Sequence, residues 1–256
     1  MSVTVAALQV AAAVGAVEAN LRRLAALVAG IEADLDLVVA PEMVNTGYDL
    51  ERADELLSVA EPFDGPTVGL ASDLSARRDA TVVLGLLERG SDERVYDTVV
   101  LAQPDGTLDR YRKSHLYPPE ATWFTAGDET VTVASPAGHL GVLICFEHAF
   151  PELATTLALQ GAEILVIPSA VPTGYEYLLR LRTRARAQDN QIFAVAANLT
   201  GGTFAGRSLI ADPRGEVVAE AGTDEQALIA TLDLDAIAAE RSREPALRMR
   251  RPELYR

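Results

Sequence analysis

The chain has 256 residues, 49% hydrophobic and 23% charged, and its 37 acidic against 22 basic side chains give a formal net charge of −15. That charge argues against nucleic acid and anionic membranes as partners, since both are bound through basic surfaces, but it implies no cationic substrate, because acidic surfaces also serve solubility. No apolar run approaches the ~20 residues that cross a bilayer, the opening Met1-Ser2-Val3-Thr4-Val5 lacks the features of a signal peptide, and the lone cysteine allows no internal disulfide; the expectation is a cytoplasmic protein.

Val3–Val10 reads as a buried strand, and Asn20–Ile31 as a helix with Leu21, Leu24, Leu27, Val28 and Ile31 on one face. Leu35–Ala40 is a second strand stopped by Pro41, and Thr67–Arg77 a helix after Asp64-Gly65-Pro66. Strands follow at Thr81–Leu87 and Tyr96–Ala102, the latter joined to Leu108–Tyr111 by the turn Pro104-Asp105-Gly106. A polar connection spans Arg112–Glu129. Beyond it come strands at Val131–Ala134 and Leu140–Cys145, a helix at Pro151–Gln160, a strand at Ile164–Ile167, a helix at Tyr175–Asn190 and a strand at Phe193–Ala197. A hairpin of Ser208–Ala211 with Glu216–Ala219, a strand at Ala227–Leu232 and a helix at Leu234–Glu240 complete the series. No linker or break in composition divides the chain, so the expectation is one domain over 1–256 with a C-terminal tail from about 243 that packs outside the core or on a partner. Strands alternating with helices, several of them hairpin-paired, predict an α/β layered fold with mixed sheets.

Three apolar strands stop abruptly at polar residues. Leu37–Ala40 runs into Pro41-Glu42, Leu140–Ile144 into Cys145-Phe146-Glu147, and Ile164–Ile167 into Pro168-Ser169. Ligands of α/β sheets bind at the carboxyl ends of strands, so Glu42, Cys145 and Ser169 are candidates for one rim. A free cysteine is often a small core residue. Here the helix that follows places Cys145 at a strand-to-helix elbow, where backbone N–H groups stabilise a thiolate or an oxyanion. His148 is three residues away, but after a strand end that spacing need not bring its ring to the sulfur; a solvated or capping histidine is the expectation, and His139 reads as an inert turn residue. Lys113, beside His115, is the only lysine in a chain that otherwise uses arginine, and a compact ammonium suits a developing oxyanion. Glu42 reads equally well as a surface carboxylate. Glu120, in the loop with Trp123, carries little by itself.

Together these segments resemble the nitrilase superfamily of carbon–nitrogen hydrolases along essentially the whole chain. Val5–Gln9 is similar to its first strand, Ala40-Pro41-Glu42 to the segment of its glutamate base, and Tyr111–Leu116 to its lysine segment. Leu143–Glu147 with Phe150-Pro151-Glu152 is similar to its cysteine segment. Glu120, with Phe124 and Gly127, aligns with a second glutamate; Ala185–Asn190 and Ala196-Ala197-Asn198 also match. The chain departs from the family's Tyr-Asp at Phe146-Glu147, and has Ala149 where many members carry arginine. The resemblance implies a four-layer αββα sandwich with two mixed β-sheets, and catalysis by Glu42, Lys113 and Cys145 with Glu120 in support. It implies a pocket of Tyr48, Trp123, Phe146, Glu147, Ser169, Ala170 and Pro172. It also implies no metal or other cofactor, no essential histidine, and a homodimer or larger homo-oligomer. A short linear amide is the first expected substrate, with N-carbamoyl compounds, nitriles and acyl transfer to amines as alternatives; a silent interaction protein on the same fold is the alternative outside enzymes.

Overall fold

The pleated alternation of buried strands is set at the first strand of the computed structural model, which describes residues 1–255. In β1 (Ser2–Gln9), Val3, Val5 and Ala7 join one apolar cluster while Ala6 and Leu8 join another, as a two-residue period requires. Strands covered on both faces read as continuous apolar runs rather than as alternating ones. The chain continues through α1 (Val17–Ala29), β2 (Leu37–Val39), α2 (Ala53–Ser58), α3 (Pro66–Arg78), β3 (Thr81–Arg89), β4 (Val95–Ala102) and β5 (Leu108–Arg112). Its second half contains β6 (Thr132–Ser135), β7 (Gly138–Val142), α4 (Pro151–Leu159), β8 (Ile164–Ser169), α5 (Glu176–Asn190) and β9 (Phe193–Asn198). Then come β10 (Thr200–Gly201), β11 (Phe204–Ala205), β12 (Leu209–Ala211), β13 (Val217–Glu220), β14 (Gln226–Asp233) and α6 (Asp235–Arg243).

Two six-stranded sheets form, in the orders β14-β1-β2-β3-β4-β5 and β13-β12-β9-β8-β7-β6. Both are mixed. Read from β14 and from β6 respectively, each runs through one antiparallel, two parallel and two antiparallel pairs. The two sheets therefore repeat one pairing pattern, the first built from β1–β5 with β14 returning from the C-terminal end of the chain. The inner faces meet in a core that takes Val5, Val39 and Val99 from one sheet and Leu140, Val166 and Val195 from the other. The outer face of the first sheet packs on α1 and α3 through Leu24, Val28, Val68 and Leu74. The outer face of the second packs on α4 and α5 through Ala154, Leu157, Leu179 and Ala187. The result is the four-layer αββα sandwich with two mixed sheets. Each fully buried aliphatic side chain contributes about 1.5–3 kcal/mol of transfer free energy.

Boundaries move where local chemistry competes with periodicity. Asn20, expected to begin the first helix, lies inside it. Its side chain accepts from the Ala13 N–H at 2.8 Å and donates to the Ala13 and Asn45 carbonyls at 2.7 and 2.9 Å, so it pins the preceding loop. The strand expected to reach Cys145 stops at Val142, where its parallel register with β8 ends. His139 lies in β7 rather than in a turn. After α6 the chain forms two short 3-10 segments, Ala246–Met249 and Pro252–Leu254, with Met249 and Leu254 exposed. Among the described residues no helix is long and apolar enough to cross a membrane.

Candidate active site

Glu42 is placed by the end of β2. Ala40 still donates to the Val83 carbonyl at 2.8 Å, but Pro41 has no N–H to continue the ladder, and the chain turns so that Met43 takes a positive φ of 43°. Gly85 of β3 makes this turn possible. A Cβ there would lie 2.4 Å from the Pro41 carbonyl oxygen and 2.7 Å from the Glu42 Cα. Glu42 is fully buried rather than a surface carboxylate.

Lys113 follows β5. Its backbone N–H donates to the Asp97 carbonyl at 2.9 Å, and its carbonyl accepts from Gly127 at 2.8 Å. Its buried Nζ donates to Glu42 Oε1 at 2.5 Å, to Glu120 Oε1 at 2.8 Å and to Asp97 Oδ2 at 3.1 Å. Burial by itself would lower the ammonium's pKa; the charges of Glu42, Asp97 and Glu120 outweigh it and hold the group well above its ordinary value. Three carboxylate oxygens within 4.8 Å of one another would suit a hard cation, and here Lys113 Nζ is bonded to all three groups. Glu120 sits in the 3-10 turn Pro118–Thr122; its Oε2 accepts from the Tyr117 N–H at 2.7 Å, and its Oε1 also accepts from the Tyr48 hydroxyl at 2.8 Å.

Asp97 was not foreseen. It interrupts an otherwise apolar stretch of β4, and that interruption is the signal it leaves in the sequence. Burial pushes its carboxyl well up, the Lys113 ammonium pulls it down, and the charge of the nearby Glu42 adds to the rise. Glu42 Oε2 and Asp97 Oδ1 are both buried without a donor. A buried acceptor left without a donor costs about 1–3 kcal/mol, which acts in the same direction as the burial that pushes the Asp97 carboxyl up.

Cys145 lies just past β7 with a φ of +44°, in the strained left-handed region that an elbow between strand and 3-10 turn demands. Burial and then the Glu42 charge push its thiol well up, against the charge of Lys113 and an Ala170 backbone hydrogen bond. The elbow is clamped by Glu147. One oxygen of this fully buried carboxylate accepts from Ile144 N–H at 2.8 Å; the other accepts from the Tyr111 hydroxyl at 2.7 Å, from the Ser114 N–H at 2.8 Å and hydroxyl at 2.7 Å, and from the His115 N–H at 3.0 Å. It thus joins the Cys145 elbow to the loop that begins at Lys113.

A cavity of about 640 Å³ opens beside Cys145 and Glu120, bordered by Tyr48, Tyr117, Phe146, Ala170, Pro172 and Phe204. That volume suits a small molecule. Of the pocket residues expected from the sequence, Tyr48, Phe146, Ala170 and Pro172 face it. Three do not. Glu147 has both oxygens committed to the clamp. Ser169 is buried and donates to the Ile167 carbonyl at 3.1 Å. Trp123 lies outside the lining, 39% exposed. His148 is also corrected: it is neither solvated nor a cap but 2% exposed, and it borders the cavity.

A family model described as carbon-nitrogen hydrolase matches residues 4–242. An (R)-stereoselective amidase of Pseudomonas sp is 38% identical over 227 residues, 87% of this chain and 82% of that protein. Omega-amidase NIT3 of Saccharomyces cerevisiae is 32% identical, over 93% of this chain and 89% of its own. The crystal structure of Saccharomyces cerevisiae Nit3, described as a member of branch 10 of the nitrilase superfamily, superposes with a TM-score of 0.90 at 31% identity, covering 98% of this chain and 97% of that one. Matched along nearly its whole length in sequence and in fold, the chain belongs to the carbon-nitrogen hydrolase family of the nitrilase superfamily.

Proposed function

We propose that this protein hydrolyses the carbon–nitrogen bond of a small linear amide through a thioester on Cys145, with Glu42, Lys113 and Glu120 as its other catalytic groups. The observation that carries this reading is the buried ammonium of Lys113 bonded at once to Glu42, Glu120 and Asp97, beside a cysteine held at a strained elbow on a small-molecule cavity. Relatives named as amidases support an amide as the substrate.

The thiol is held protonated at rest, so it needs a base at the moment of attack. Glu42 takes the Sγ proton as sulfur bonds to the amide carbon, and Lys113 with the Phe146 backbone N–H stabilises the oxyanion. Glu42 then gives its proton to the leaving nitrogen, the C–N bond breaks and ammonia departs. In the second half Glu42 removes a proton from water, hydroxide adds to the thioester, and the C–S bond breaks to release the acid; the proton returns to sulfur. Glu120 and Asp97 hold the Lys113 ammonium in place without entering these transfers.

Ammonia release from a panel of amides, N-carbamoyl compounds and nitriles tests the reading. Turnover of an amide is expected, with Cys145→Ala and Glu42→Gln each lowering kcat by about a thousandfold or more while circular dichroism and Tm remain close to wild type. A folded Cys145→Ala variant that keeps wild-type turnover sinks the proposal.

A further inference from the structure

The arginines of α5 differ in how they are compensated. Arg180 pairs with Glu220 at 3.0 Å, Arg184 donates to the Gly215 carbonyl at 2.7 Å, and Arg186 pairs with Asp189 at 3.0 Å. Of these arginines only Arg182 borders the cavity, and among the described residues no carboxylate pairs with it. Its side-chain partner is His148, with Nη1 3.3 Å from Nε2. Burial and then the charges of Arg182 and Arg186 hold that imidazole down at about 3, so it is neutral and offers the guanidinium no countercharge.

Three carboxylates also border the cavity. Glu120 is engaged by Lys113 and Tyr48. Asp49 accepts from the Glu51 N–H at 3.0 Å, and Glu51 is exposed. Neither Asp49 nor Glu51 pairs with Arg182. A half-buried guanidinium facing a cavity without an ion partner is the arrangement that a ligand's anion completes, because its planar fork matches a carboxylate through two charge-assisted hydrogen bonds.

We infer that Arg182 receives an anionic end of the substrate, so that the amide cleaved at Cys145 carries a carboxylate at its far end. This rests on the amide hydrolysis proposed above. Asp49 and Glu51 sharpen the orientation by repelling that carboxylate from their side of the cavity. Phe146 and Leu178, also on the lining, give the intervening methylenes an apolar wall.

The test compares kcat/KM for succinamate and glutaramate with that for butyramide and valeramide, in the full-length wild type and in Arg182→Met and Arg182→Lys. The wild type is expected to prefer the carboxylate-bearing amides by about ten- to a hundredfold, the span of a charge-assisted pair. Arg182→Met brings that ratio towards one, mainly through KM, and Arg182→Lys keeps part of it. Calorimetric binding of glutaramate to Cys145→Ala, lost in the Cys145→Ala/Arg182→Met double variant, gives the same answer without turnover. Hydrolysis of the neutral amides with no preference for the charged ones, or a ratio unmoved in Arg182→Met, overturns the inference and leaves the amidase reading intact. No ammonia from any amide overturns both.

Discussion

Cys145 and His148 are three residues apart, and burial acts on them in opposite senses. It keeps the thiol protonated, so the nucleophile depends on a base, and it keeps the imidazole deprotonated, at about 3 against an ordinary 6.5. The second shift has a consequence for stability. The unfolded chain takes up the histidine proton first, so the neutral ring's contribution is complete above about pH 6.5 and is lost as pH falls from there towards about 3. His148→Gln should therefore lose less stability than wild type between about pH 7 and about pH 4, measured as the change in urea midpoint. An equal loss in both proteins would mean that the ring is not held neutral. Residue chemistry alone marked Cys145, Lys113 and Glu42 as candidates; it could not foretell that Asp97 would share the ammonium, because β4 and Lys113 meet only through the hairpin.

At the scale of elements, the site depends on how closely β3 approaches the turn after β2. Gly85 is the contact, with the Pro41 carbonyl oxygen 2.4 Å from where a Cβ would sit. Backbone cannot move aside as a flexible side chain can, so Gly85→Ala displaces the Glu42 turn. The expected cost is about 1–3 kcal/mol, read as a lowered Tm, with kcat falling further than partial unfolding at the assay temperature explains. Wild-type kcat and Tm together would show that the turn tolerates the displacement. The Glu147 clamp is the second such device. The sequence placed this residue beside the cysteine and invited a substrate role. Its partners Tyr111, Ser114 and His115 are more than thirty positions away, and their arrival turns the carboxylate into a brace between elbow and loop.

For the whole molecule, the layer between the two sheets is one of three large apolar cores, and it is the one that joins the halves of the sandwich. Leu140 is fully buried there, among side chains contributed by both sheets. Leu140→Ala should cost about 2–5 kcal/mol through lost transfer energy and an unfilled cavity, measured by urea denaturation. A change well under 1 kcal/mol would mean that the layer collapses around the vacancy. The repeated order of strand pairs explains why three strand ends share one design. β2 and β8 hold the same position in their respective sheets, with β7 next to β8, so Pro41-Glu42, Pro168-Ser169 and Cys145 are all products of one architectural rule. Ser169 shows its limit: the same position in the second sheet leaves the hydroxyl buried on its own strand.

The sequence by itself determined the class of elements, the layered α/β plan and the residues able to do the chemistry, because apolar periodicity, strand-stopping prolines and reactive side chains are properties of chain neighbours. Tertiary structure decided the partnerships: which carboxylates surround Lys113, that Glu147 braces rather than binds, that His148 is buried and neutral, and that Arg182 faces the cavity without an ion partner. Those outcomes depend on distance and desolvation between segments far apart in sequence. Cys145, conspicuous in the sequence as the lone cysteine, takes its meaning from a glutamate and a lysine that only the folded sheets bring near it.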